Sequence, residues 1–101
     1  MNVMEVNNEN FDKIILENTI VLVDFNATWC GPCRMLKPII DEYSENGSIK
    51  VCTVDIDKNE ELATKYGIYS IPCLILFKNG QEIKRNVGFI SMDELKSFVG
   101  E

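Results

Sequence analysis

The sequence predicts an α/β domain in which a mixed five-stranded sheet is flanked by four helices, in the order β-α-β-α-β-α-β-β-α. Three observations lead there. Two β-branched runs, residues 19–27 and 49–56, are separated by a long stretch with helical spacing, the pattern of parallel strands joined by a crossover helix. A third apolar run, residues 73–77, leads into Asn79-Gly80, a strong two-residue hairpin signal, so the strand after it (Gln81–Val87) should run antiparallel to its predecessor. The chain has 101 residues, 46% hydrophobic and 26% charged, and shows no linker, repeat or low-complexity tract, which suits one domain over residues 1–101.

Residues 3–6 are a short run with apolar residues on both faces and fit a first strand. Asn8 to Asn10 are placed to cap a helix over Phe11–Glu17, in which Phe11, Ile14 and Ile15 share one face. The run TIVLVDFNA is too short for a typical helix and too apolar for a half-exposed strand. It reads as a central strand covered on both sides, interrupted only by Asp24. Beyond Cys33, the residues Met35, Leu36, Ile39, Ile40 and Tyr43 recur at helical spacing. Pro38 removes one backbone hydrogen bond from that stretch, which predicts a single kinked helix ending at Gly47. Residues 59–66 form a short helix closed by Gly67, and Ser91-Met92-Asp93-Glu94 is a capping box that opens a last helix through Val99.

A net charge of −6 with no histidine disfavours binding to nucleic acid or to an anionic membrane, since both rest on Lys and Arg. The first fifteen residues contain no apolar signal core, and nothing approaches the ~18 apolar residues of a membrane span. The expectation is a cytoplasmic protein. In a reducing compartment, close cysteines are more often catalytic or metal-binding than structural.

Cys30-Gly31-Pro32-Cys33 lies where a buried strand gives way to a helix. Gly31 lets the chain turn, Pro32 suits a first helical turn, where its missing N–H would have had no partner, and Cys33 falls inside that turn. Cys30 then sits at the positive end of the helix, where unpaired N–H groups and the macrodipole favour a thiolate, which makes it the nucleophile. Cys33, one turn deeper, should be less exposed and suited to resolving a mixed disulfide. Two other readings compete. Half of a zinc site would need a second pair or histidines, and Cys52 and Cys73 stand alone; two inert core cysteines fit poorly with Gly-Pro between them and Trp29 before them.

The runs VDFNATWCGPCRMLKP, VDIDKN, KYGIYSIP, FKNG and VGFIS resemble the thioredoxin family, over essentially the whole chain. The resemblance implies the thioredoxin fold and a protein disulfide reductase. Cys30 would attack a substrate disulfide and Cys33 would release the product, leaving an oxidised Cys30–Cys33 pair, with Gly31 and Pro32 tuning its potential. Asp24 matches the family's buried acid, a proton acceptor for the deeper thiol. An isolated carboxylate in a covered strand should in any case have a raised pKa. Pro72 matches a cis-proline facing the disulfide, and Trp29, Ile71, Pro72, Gly88 and Phe89 would form an apolar substrate platform. The resemblance further implies no bound cofactor or metal, electrons from a thioredoxin reductase, disulfide-containing client proteins, and a monomer. The rivals are a non-catalytic binding subunit and an assembly bridged by a metal cluster.

Four departures from the family pattern raise expectations of their own. Asn26 replaces a common aromatic and should loosen packing beneath the active-site loop. Thr53 stands where many members carry a lysine, so Asp24 should lack a cation and be pushed further up. Arg34 for lysine keeps the charge. Cys73 replaces a threonine directly behind Pro72, either as a small buried thiol or as a third reactive sulfur.

Overall fold

A computed structural model describes residues 2–101. The elements follow the predicted order: β1 (Val3–Glu5), α1 (Phe11–Glu17), β2 (Ile20–Asn26), α2 (Gly31–Asn46), β3 (Lys50–Asp55), α3 (Glu60–Lys65), β4 (Cys73–Lys78), β5 (Gln81–Val87) and α4 (Met92–Val99). The strands lie side by side as β1-β3-β2-β4-β5, with β3 parallel to both β1 and β2, and with β4 antiparallel to both β2 and β5. The most apolar strands, β2 and β4, are therefore central, where both faces are covered.

Strand alternation sorts these residues into two layers. Val21, Val23, Phe25, Cys52, Val54, Cys73, Ile75 and Phe77 point to one face and meet Phe11 and Ile15 of α1 and Leu62 of α3. Leu22, Val51, Leu74 and Leu76 point to the other and meet Leu36, Ile40 and Tyr43 of α2 and Leu95 of α4. The first layer is anchored by Phe11, Phe25, Tyr66 and Phe77, whose neighbouring ring centroids lie 5.4 to 6.3 Å apart, the spacing of favourable tilted and edge-on pairs.

Pro38 lies inside α2, which runs unbroken from Gly31 to Asn46. Gly47 ends it for a packing reason: a Cβ there would lie 2.6 Å from the Tyr43 ring. The capping box of α4 is present, with Glu94 N–H donating to Ser91 Oγ (3.1 Å) and Ser91 N–H to Glu94 Oε1 (2.9 Å). The outer strand β5 exposes Gln81 through Arg85, and the Arg85 guanidinium pairs with Glu82 at 2.6 Å.

The asparagines before α1 differ from expectation. Asn10 holds the N-cap position but makes no capping bond from its side chain. Asn7 folds the turn instead, its Oδ1 accepting from the N–H groups of Glu9 and Asn10. Asn8 caps a different helix: its Oδ1 accepts from Leu62 N–H in the first turn of α3 (3.1 Å), while its own N–H donates to Asn59 Oδ1 (3.0 Å). The two loops are thus stitched together through a helix end that local sequence cannot supply with a partner. Asn8→Ala should cost about 1 kcal/mol in urea unfolding. A change within the roughly 0.5 kcal/mol of ordinary surface substitutions would contradict this role.

Candidate redox site

The site forms where β2 leaves the sheet. Cys30 is the N-cap residue of α2: its extended backbone aims Sγ at the open helix end, where it accepts from Cys33 N–H at 3.2 Å. Arg34 N–H donates to the Cys30 carbonyl (3.1 Å), and its guanidinium reaches back to the Thr28 carbonyl (3.0 Å), which ties the loop to the helix. Cys30 and Cys33 are joined by a disulfide, with their Cα atoms 5.2 Å apart. Gly31 and Pro32 fill the two intervening positions at the start of the helix.

The expected difference in exposure between the two cysteines is not found, since both are 5% exposed. With the ring closed, the two sulfurs share one small apolar cluster with Ala27, Ile56 and Ile71. What separates them is direction. Cys30 Sγ lies 3.8 Å from the Ile71 carbonyl at the rim, whereas Cys33 lines an internal cleft that it shares with Asp24.

The rim is built from three loops. The Ile71–Pro72 peptide bond is cis, and the buried Pro72 offers its carbonyl to Gly88 N–H (2.8 Å). Gly88 has φ +100°, a left-handed conformation that favours glycine, and a Cβ there would touch nothing within 4 Å, so its constraint is conformational. Phe89 follows at 44% exposure, and Trp29, at 65%, anchors its indole N–H on Asp57 Oδ2 at 2.8 Å. Asp57 was not anticipated from the sequence: only the packing of its loop against Trp29 gives it a partner.

Asp24 sits on β2 opposite Thr53 and Leu74, is 5% exposed, and leaves Oδ1 without a hydrogen-bond partner. Burial raises its pKa to about 7; the Asn26 side chain pulls it down and the charge of Asp41 adds to the rise. No cation comes from β3, because Thr53 takes that position. Asn26 donates from its amide to Thr53 Oγ1 (2.6 Å) and to the Asp24 carbonyl (3.0 Å), and it borders the open space beneath the loop. The resulting cleft, of about 460 Å³, reaches from Asp24 and Cys33 past Asn26 and Thr53 to Lys37 and Asp41 on α2.

Cys73 begins β4 directly behind Pro72, but its side chain faces the aromatic layer. Leu74, not Cys73, shares the Asp24 face. Burial pushes the Cys73 thiol up and the Cys52 thiol up to about 11, as expected for inert core thiols. Among the described residues, no three ligating side chains gather.

The family model described as Thioredoxin matches residues 2–101. The chain belongs to the thioredoxin family. It is 43% identical over 99 residues to a thioredoxin of Rickettsia felis, covering 95% of this chain and 94% of the relative. It is 41% identical over 96 residues to a thioredoxin of Alicyclobacillus acidocaldarius, covering 93% and 91%. In structure it resembles a single-substitution mutant of a thioredoxin from Halobacterium salinarum, with a TM-score of 0.92, 35% identity, and coverage of 97% and 88%. Membership and the Cys30–Cys33 pair make the protein a dithiol–disulfide oxidoreductase, and thioredoxins need no bound cofactor for that chemistry. No helix among the described residues is long and apolar enough to cross a membrane.

Proposed function

We propose that Cys30 is the attacking sulfur and Cys33 the resolving one in the reduction of disulfides in client proteins. The position of Cys30 as the cap of α2 carries this reading: in the reduced pair, the Cys33 N–H and the helix dipole would favour a thiolate on Cys30. That thiolate attacks one sulfur of the client disulfide, forming a mixed disulfide and expelling the other client sulfur as a thiolate. Asp24 takes the Cys33 proton. The Cys33 thiolate then attacks Cys30 Sγ, the Cys30–client bond breaks, and its electron pair leaves with the client sulfur. Two electrons have passed to the client, and Cys30–Cys33 is the oxidised product.

Gly31 and Pro32 hold the spacing of the pair and thereby tune its potential. Trp29, Ile71, Pro72, Gly88 and Phe89 form the surface on which an extended client segment rests, and the Ile71 carbonyl close to Cys30 supplies an acceptor for its backbone. Electrons return from a thioredoxin reductase. We place this cycle in the cytoplasm, in a monomer whose residues 1–101 are one domain. Cys33→Ser should block the second step and accumulate mixed disulfides on Cys30, visible as bands on non-reducing gels that dithiothreitol removes. A Cys33→Ser protein that yields no such adducts with disulfide-containing clients would refute the order of attack.

A further inference from the structure

The proton that Asp24 accepts must leave before the next cycle, and Asp24, 5% exposed, lines the cleft. From β2, the Asp24 carboxyl opens onto it with Oδ1 unpartnered. The charged and titratable groups around it are Glu5 from β1, with Cys33, Arg34, Lys37 and Asp41 from α2; β3 contributes only the neutral Thr53. Lys37 and Asp41, one helical turn apart, are joined at 2.9 Å, and Asp41 is the more enclosed of the two, its side chain 24% exposed against 67%. Both side chains line the cleft, the carboxylate the more enclosed and the ammonium the more exposed.

We propose that the Lys37–Asp41 ion pair sets the protonation of Asp24 from the mouth of the cleft, so that both act as positioning residues for the Cys33 step. This rests on the acceptor role of Asp24 given above. In each turnover Asp24 gains the Cys33 proton and then releases it to water through the cleft, returning as a carboxylate. A negative charge at position 41 retains that proton; Lys37, by neutralising the charge, eases its release.

The test reads the pH dependence of the second step and the titration of Asp24 separately. Reduced protein is mixed with excess dithiobis(nitrobenzoate), and release of the second thionitrobenzoate, which follows Cys33 attack on the Cys30 adduct, is timed by stopped flow across pH. In parallel, carbon NMR follows the Asp24 carboxyl in the oxidised protein. Asp41→Asn should move both midpoints down by roughly half a pH unit, about a threefold faster release on the acid limb, because one negative neighbour is gone. Lys37→Gln should move both up by a similar amount, and Lys37→Arg should restore the original midpoint. If Asp24→Asn leaves the pH profile of second release unchanged, the acceptor role of Asp24 fails. If Asp24→Asn removes the inflection while Lys37→Gln and Asp41→Asn leave both midpoints where the unaltered protein has them, the role of the pair is overturned.

Discussion

Cys30→Ser is expected to lower the rate of insulin reduction by dithiothreitol to its uncatalysed background, a loss of at least about a thousandfold. The reason is local. Only a sulfur at the N-cap of α2 is aimed at the rim, close to the Ile71 carbonyl, and also served by the Cys33 N–H. Serine in its place keeps the cap, since its hydroxyl accepts the same N–H, so the helix should stay folded while the nucleophile is lost. Unfolding midpoints of the reduced proteins should therefore agree closely. The substitution also separates the enzyme from a binding subunit of the same fold: if the exposed rim served docking alone, its function would survive the serine. Retained insulin reduction in Cys30→Ser would overturn the assignment of the attacking sulfur.

Much of this architecture is legible in the sequence because it rests on short-range rules. Asn79-Gly80 sets the β4–β5 hairpin, Ser91 and Glu94 cap α4, and the continuous apolar runs of β2 and β4 mark strands covered on both sides. The cysteine pair reads from Gly-Pro and its place at a strand-to-helix junction. What was not legible depends on distant partners. Asn8 looks like a cap for the helix that follows it, but its partner, Leu62, is 54 residues away. Trp29 reads as an exposed aromatic until the β3–α3 loop brings Asp57 beneath its indole. Cys73 left two directions open, and the register of β4 against β2 decided for the core, because Leu74 had to stand on the Asp24 side. Equal burial of the two active-site cysteines follows from the closed ring, which draws both sulfurs into one apolar cluster.

Asp24→Asn is expected to raise stability at pH 8 by as much as about 4 kcal/mol, and to change it little near pH 4. In the folded protein burial raises the Asp24 pKa from 3.8 to about 7. Below about pH 4 the carboxyl is protonated in both the folded and unfolded chain, and burial costs nothing extra in charge. As pH rises from about 4 to about 7, the unfolded chain releases its proton while the folded one retains it, so stability falls; above about 7 the full penalty is present. At about 1.4 kcal/mol per pH unit, that interval gives the upper figure, and asparagine, neutral throughout, escapes it. Urea unfolding of both proteins at pH 4 and pH 8 provides the comparison, and a pH-independent difference would contradict the buried-charge account. The same substitution should slow second-step release in the thionitrobenzoate assay, because Cys33 loses its proton acceptor. The carboxylate thus weakens the fold at the pH where it is useful, the exchange expected of a buried functional group.

The outer strand β5 bears on how this protein meets other chains. A bare sheet edge offers a row of backbone groups to any extended segment, and a reductant that handles partly unfolded, disulfide-containing proteins would meet many such segments. Here that edge carries Glu82, Lys84 and Arg85 on a strand exposed over most of its length, with a register shift opposite Leu76 and Phe77. Charges and irregular spacing discourage strand addition along this side. On the proposed cycle, clients would be left with the apolar rim around Cys30, where an encounter would end in electron transfer and release rather than in a shared sheet.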